Sequence, residues 1–198
     1  MFTGIIEAVG SIAKMDDRNG DRRYSIHTGK LDLSDLSVGH SIAVNGVCLS
    51  IVELHNDGLV ADVSRETLFC TTFDTLAEGS RVNLEKSLRF SDRLNGHLVS
   101  GHVDGVGIIR KRTTDARSER FVIETPVKLL KYICNKGSVC IDGVSLTINE
   151  TDASSFRVNI IPHTLQETTF RDFREGTKVN IEVDIIARYL ESLCNSLS

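Results

Sequence analysis

No excess of positive charge runs through this sequence: 23 Lys and Arg stand against 27 Asp and Glu, a formal net charge of -4. Without a basic face there is no footprint for a nucleic-acid backbone and no polybasic patch for anionic lipid. Nor does any segment approach the ~18 uninterrupted apolar residues that a membrane helix requires, and the opening MFTGIIEAVG has no basic n-region. A cytoplasmic protein with small solutes or proteins as partners is expected. The five cysteines, Cys48, Cys70, Cys134, Cys140 and Cys194, are odd in number and never spaced C-x-x-C. This argues against both a disulfide framework and a zinc knuckle, and leaves reduced thiols as the default. Neither G-x-x-x-x-G-K-S nor G-x-G-x-x-G follows a strand pattern and opens a helix, so no dedicated phosphate loop is expected.

What the sequence does contain is a repeat. VNGVCLSIVE (44–53) recurs as IDGVSLTINE (141–150), TLFCTTFDTLAEGSRVNLE (67–85) as TLQETTFRDFREGTKVNIE (164–182), and TGIIEAVGSI (3–12) as SGHVDGVGII (100–109), all at an offset of 97 without a gap. Each copy is the size of a domain, which suggests units over 1–97 and 98–183 with a tail over 184–198. Within a copy, alternating segments such as SIAVNGVCLSIV, GLVADVS and RVNLEKSL are separated by turn residues, the spacing of a small antiparallel barrel. The expected class is all-β: two tandem Greek-key barrels, with short helical turns after Ser64 and around 67–73. The tail places Ile186, Leu190, Leu193 and Leu197 at helical spacing behind Asp184 as N-cap. So short a helix is marginal alone, so it packs on its own barrel or on neighbouring subunits.

Gly101, Val106 and Gly107 repeat Gly4, Val9 and Gly10, so these glycines belong to the duplicated fold. His97 and His102 are five apart, which puts them on opposite faces of a strand and out of i, i+4 alignment on a helix, so a shared zinc ion is disfavoured. His102 stands where the first copy has Ile5. Other paired positions also differ: Cys48 against Ser145, Asn45 against Asp142, Asp62 against Asn159, Ser64 against Ile161, Glu66 against His163. Drift after duplication produces such differences; so do similar pockets with unlike polar groups. Cys48 reads as a small buried residue or as a site group, since Ser145 keeps a nucleophilic atom at the paired position. Lys136 reads as a solvated turn lysine or as a cation beside an anionic or carbonyl-rich ligand.

Six motifs, MFTGII, VNGVCLS, DVSRETL, GHLVSGHVDGVG, KGSVCIDGVSLTIN and VNIIPHTLQETTF, together resemble the riboflavin synthase family of the alpha-chain type, in order and spacing from Met1 to about Tyr189. The resemblance implies two six-stranded barrels, a C-terminal helix, and a homotrimer held by those helices. It implies transfer of a four-carbon unit between two molecules of 6,7-dimethyl-8-ribityllumazine, with no metal and no organic cofactor, and allows an association with lumazine synthase. By motif it implies a first pocket lined by Gly4, Ile5, Ile6, Cys48, Leu49, Ser50, Asp62, Val63, Ser64, Arg65, Glu66 and Thr67. The second pocket it implies uses Gly101, His102, Val103, Lys136, Ser145, Leu146, Thr147, Ile160, Ile161, Pro162, His163, Thr164 and Leu165. Phe2 and Thr3 are expected to close over the bound ring, unless they are a frayed terminus. His102 is the expected proton-transfer group, Ser41 and Cys48 the nucleophile or water-orienting candidates, His97 a supporting residue, and Asp62 an acceptor for ribityl hydroxyls. Backbone groups of the VNGVCLS and IDGVSLT strands are expected to read the pyrimidine edge. Ser50 departs from the family's more usual threonine, and Arg65 from the residues common there. Two rivals share the barrel: a non-catalytic lumazine-binding relative, and the flavin barrel of an oxidoreductase, for whose nicotinamide domain 198 residues leave no space.

Overall fold

The computed structural model describes residues 1–195, so Leu197 lies outside the described residues. The first copy folds as β1 (Ala8–Arg18), β2 (Asp21–His27), β3 (Ser41–Val44), β4 (Val47–His55), β5 (Gly58–Val63), α1 (Arg65–Cys70), a 3-10 turn (Thr72–Thr75) and β6 (Arg81–Lys86). The second gives β7 (Gly105–Asp115), β8 (Ser118–Glu124), α2 (Val127–Leu130), β9 (Ser138–Ile141), β10 (Val144–Thr151), β11 (Ser155–Ile160), α3 (Pro162–Glu167), a 3-10 turn (Thr169–Asp172) and β12 (Lys178–Val183). Each set closes into an antiparallel barrel, in the orders β1-β2-β5-β4-β3-β6 and β10-β11-β8-β7-β12-β9. Closure leaves no unpaired sheet edge.

The sequence pattern explains the closure locally. In the β3–β4 hairpin, Ile42, Val44, Leu49 and Ile51 fill the barrel, while Ser41, Ala43, Cys48 and Ser50 alternate onto the outer face. Its two-residue turn uses Asn45 and Gly46, both at positive φ (46° and 75°), as Asp142 and Gly143 are in the second copy (45° and 83°). This is the turn whose twist suits a tight hairpin. Register shifts fall at equivalent places, between Ile51 and Glu53 in β4 and between Ile148 and Glu150 in β10.

The barrels dock about a pseudo-twofold axis. Phe2 and Val99, 97 residues apart, form a reciprocal backbone bridge (2.7 and 3.0 Å), and with Ala43 and Cys140 they make a small buried cluster between the barrels. The hairpin turns approach so closely that a Cβ on Gly46 would lie 2.7 Å from the Gly143 nitrogen. Asn83 donates to the Asp142 carbonyl (2.8 Å) and accepts from the Thr169 amide (2.8 Å). Asn180 mirrors it, with the Asn45 carbonyl (2.9 Å) and the Thr72 amide (2.8 Å). Such buried amide pairs fix a unique docking, because any shift strands polar groups without partners.

Helix α4 (Ile185–Asn195) follows β12. Asp184 caps it by accepting from the Ile186 amide (3.0 Å). Ile186, Leu190 and Leu193 stand exposed along it, together with Tyr189. No helix of the described residues is long and apolar enough to cross a membrane.

Candidate active site

Toward the start of β4 its last pairing with β5 is Ile51 with Ala61; beyond it β4 continues against β3 alone, and Asp62 and Val63 against β2 alone. Extending the register would set Ser50 opposite Asp62 and Cys48 opposite Ser64. Instead the strands splay there, and β5 runs directly into α1, with Ser64 accepting from the Thr67 amide (3.2 Å) as N-cap. The second barrel repeats this opening: pairing of β10 with β11 stops at Ile148 with Val158, and β11 leads into α3 through Ile161 and Pro162. Each barrel therefore carries one cleft between a strand start and a helical turn.

Each cleft is completed by the other barrel's leading segment. The Cys48 amide donates to the Gly101 carbonyl (2.9 Å), and the Ser145 amide to the Gly4 carbonyl (2.8 Å). Val103 packs on the first core and Ile6 on the second. The division drawn from the sequence is corrected accordingly: Gly4, Ile5 and Ile6 lie at the second cleft, and Gly101, His102 and Val103 at the first. Sequence alignment keeps each strap with its own copy, whereas the twofold docking exchanges them. Both strap glycines have φ near 80° (76° and 82°), a left-handed conformation that turns their carbonyls toward the opposite barrel. A Cβ on Gly101 would sit 2.5 Å from Cys48 Cβ, and one on Gly4 2.6 Å from Ser145 Cβ.

Several expected residues take more specific places. Phe2 is fully buried in the inter-barrel cluster, so it is neither a frayed end nor a flap in this structure, and Thr3 is buried beside it. Leu49, Val63 and Ile160 point into the barrel cores, leaving their backbones to border the clefts; Leu146 and Leu165 pack against the second core. Ser41 sits directly across from Ser50 in the β3–β4 register, on the outer face that also carries Cys48. The amides of Cys48 and Ser145 are already taken by the straps, so those two donors are not free to read a ligand edge. Asp62 is gripped by Arg23 through two bonds (2.7 and 2.8 Å). The guanidinium holds its carboxyl below the usual carboxylate range, with acceptor sites left over for a further donor. The Arg65 amide donates to Asp21 Oδ1 (2.8 Å). Glu66 accepts from the Cys70 thiol (3.2 Å) and pushes that thiol's pKa up. Thr147, His163 and Ile161 are exposed at the second cleft, with Pro162 and Thr164 partly so.

One pairing was not legible in the sequence. His97 Nδ1 lies 2.6 Å from Ser145 Oγ. The ring is buried, and desolvation lowers its pKa, opposed by the charge of Asp184. His97 thus lies beside Ser145 while the strap of His102 runs against Cys48, and among the described residues no group of three or more His, Cys, Asp or Glu could hold a metal ion. Lys136 carries a different signal. It is left-handed (φ 68°) where the first copy has Gly39 (φ 90°), both donating to the equivalent strand carbonyl (2.8 Å). A lysine in that conformation costs about 1–2 kcal/mol, and such strain concentrates at functional positions.

The lumazine binding domain model matches this chain twice, over residues 3–87 and 100–184. A riboflavin synthase of Photobacterium phosphoreum is 48% identical over 98% of this chain and 88% of its own length. The Mycobacterium bovis riboflavin synthase is 42% identical over 99% of both. The chain belongs to the riboflavin synthase family. Among solved structures, LumP complexed with riboflavin superposes with a TM-score of 0.86 at 27% identity, covering 92% of this chain and 99% of that one. LumP complexed with 6,7-dimethyl-8-(1'-D-ribityl) lumazine gives 0.83 at 26%, with the same coverage.

In this member of the riboflavin synthase family, the two clefts share a backbone and differ in chemistry. The first presents the Cys48 thiol and the polar lip of Ser64 and Glu66, beside the strap that carries the exposed His102. The second presents the Ser145 to His97 pair and the apolar lip of Ile161, beside the strap that carries the exposed Ile5. His97 lies between the two matched domains, outside the repeated segments.

Proposed function

We propose that this protein is a riboflavin synthase that takes two molecules of 6,7-dimethyl-8-ribityllumazine and transfers a four-carbon unit from one to the other. The products are riboflavin and 5-amino-6-ribitylaminopyrimidinedione. The observation that carries the reading is the pair of clefts, alike in backbone and unlike in polar groups. Two identical substrates need two sites recognising one ring system, and their unequal parts need different chemistry at each. Holding both rings in contact turns an encounter of dilute solutes into a local event, which can supply about 7–11 kcal/mol of the barrier.

The chain's own groups then move protons and steady charge. His102 transfers the proton at the first cleft, beside Cys48 and with Ser41 and Ser50 on the same outer face. At the second cleft, burial keeps His97 neutral, so Nδ1 accepts from the Ser145 hydroxyl and makes that oxygen a better hydrogen-bond acceptor and nucleophile. Lys136 supplies a cation at the second cleft. The two rings meet between the first cleft of one subunit and the second cleft of another, in a homotrimer assembled through the exposed apolar ridge of α4. A cytoplasmic location and an association with lumazine synthase belong to the same proposal.

Incubating the purified protein with 6,7-dimethyl-8-ribityllumazine and following riboflavin fluorescence tests this directly. A second reading, ligand binding without turnover, is favoured by the superposition on LumP; tight binding with no riboflavin formed would establish it instead.

A further inference from the structure

Behind each strap the molecule is open. A cavity of about 340 Å³ lies between Ser100, His102, Glu182 and α4, and its pseudo-twofold counterpart of about 530 Å³ lies between Thr3, Ile5, Glu85 and the linker that joins the barrels. The straps therefore lack packing on one side, and hydrogen bonds must fix them. Glu182 supplies these at the first cleft: Oε1 accepts from the Ser100 amide (2.6 Å) and hydroxyl (2.7 Å), and Oε2 from the Gly101 amide (2.9 Å). Glu85 does the same for the Thr3 amide (2.6 Å), Thr3 hydroxyl (2.7 Å) and Gly4 amide (3.0 Å). Both carboxylates are buried. One residue further along, Asp104 accepts from the Val183 amide (2.8 Å) and pairs with Arg188 of α4.

We propose that Glu182 is a positioning residue that holds His102 over the first cleft, and that Glu85 plays the same part for Ile5 over the second. Three donors converge on each carboxylate, and a glutamine cannot replace it. Its oxygen would satisfy one pair of donors, but its NH2 would meet the glycine amide donor to donor. Because His102 is the proton-transfer group of the assigned reaction and Ile5 only fills space, loss of the two clamps has different consequences. Loss of Glu182 disturbs turnover, and loss of Glu85 disturbs ring binding at the second cleft.

The inference rests on His102 acting in the reaction, so the test is a double-mutant cycle in the full-length assembled protein. Glu182→Gln is expected to lower kcat at least tenfold with little change in KM, and Glu182→Gln with His102→Gln to be no slower than His102→Gln alone. Glu85→Gln is expected to raise KM, and its effect to multiply with that of His102→Gln. Should Glu182→Gln not fold, Ser100→Ala removes one of the three bonds. It is expected to lower kcat a few-fold in the parent chain and not at all beside His102→Gln. Unchanged kcat in Glu182→Gln and Ser100→Ala, or losses in these two that multiply with His102→Gln, overturn the positioning role of Glu182, and an unchanged KM in Glu85→Gln overturns that of Glu85, while the assigned reaction stands. A His102→Gln variant with parent kcat overturns the role given to His102 itself, and the positioning role with it.

Discussion

Gly101→Ala separates backbone strain from strap displacement. At φ 82° an alanine pays about 1–2 kcal/mol for the left-handed conformation. Its methyl would also lie 2.5 Å from Cys48 Cβ, against an ordinary carbon separation of about 3.5–4.0 Å, so the strap must retreat by about 1 Å. That retreat stretches the Cys48 amide to Gly101 carbonyl bond beyond its 2.9 Å and costs about another 1 kcal/mol. Misplacement of a site element by about 1 Å can cost on the order of 100-fold in rate, and His102 is the next residue. The control is Gly79→Ala, with φ 84° and nothing within 4 Å of the added methyl; it carries the strain without the collision. Urea unfolding should show both variants weakened, Gly101→Ala the more, while steady-state riboflavin formation falls about 100-fold only for Gly101→Ala. Equal turnover in the two variants would refute the strap contact as a catalytic constraint.

Two further perturbations probe the asymmetry of the copies. Burial lifts the Asp142 carboxyl to about 7, against the pull of the Asn180 amide. A carboxyl with a higher pKa folded than unfolded contributes stability that is full below about pH 4 and lost as pH rises through about 7, at most about 4 kcal/mol. Asp142→Asn, matching Asn45 of the first copy, should therefore flatten the fall in urea midpoint between about pH 5 and about pH 8; a fall as steep as the parent's would contradict this. Lys136→Gly, matching Gly39, should stabilise the fold by up to about 1 kcal/mol by removing left-handed strain while lowering turnover. Destabilisation, or full activity, would mark Lys136 as an ordinary turn residue.

The barrels were legible because a two-residue alternation and a fixed 97-residue offset are one-dimensional signals. The exchanged straps were not. Residues 4–6 align with 101–103, and only docking about the axis through Gly46 and Gly143 sends each to the other barrel. The His97 to Ser145 contact joins positions 48 residues apart, and His97 lies outside the repeated segments. Glu85 and Glu182 did leave a trace. RVNLE and KVNIE keep both an asparagine and a glutamate, each beside apolar residues of the same strand. Charged residues are rarely buried without partners, so polar positions retained in both copies of a core strand point to shared buried contacts.

Equilibrium titration of the assembled protein with 6,7-dimethyl-8-ribityllumazine, with the bound structure solved at saturation, bears most directly on the paired clefts. Two molecules per chain are expected, one against Cys48 beneath residues 101–103 and the other against Ser145 beneath residues 4–6. Saturation at one molecule per chain, or a ligand enclosed by a barrel and its own leading strap, would contradict the exchanged two-cleft architecture.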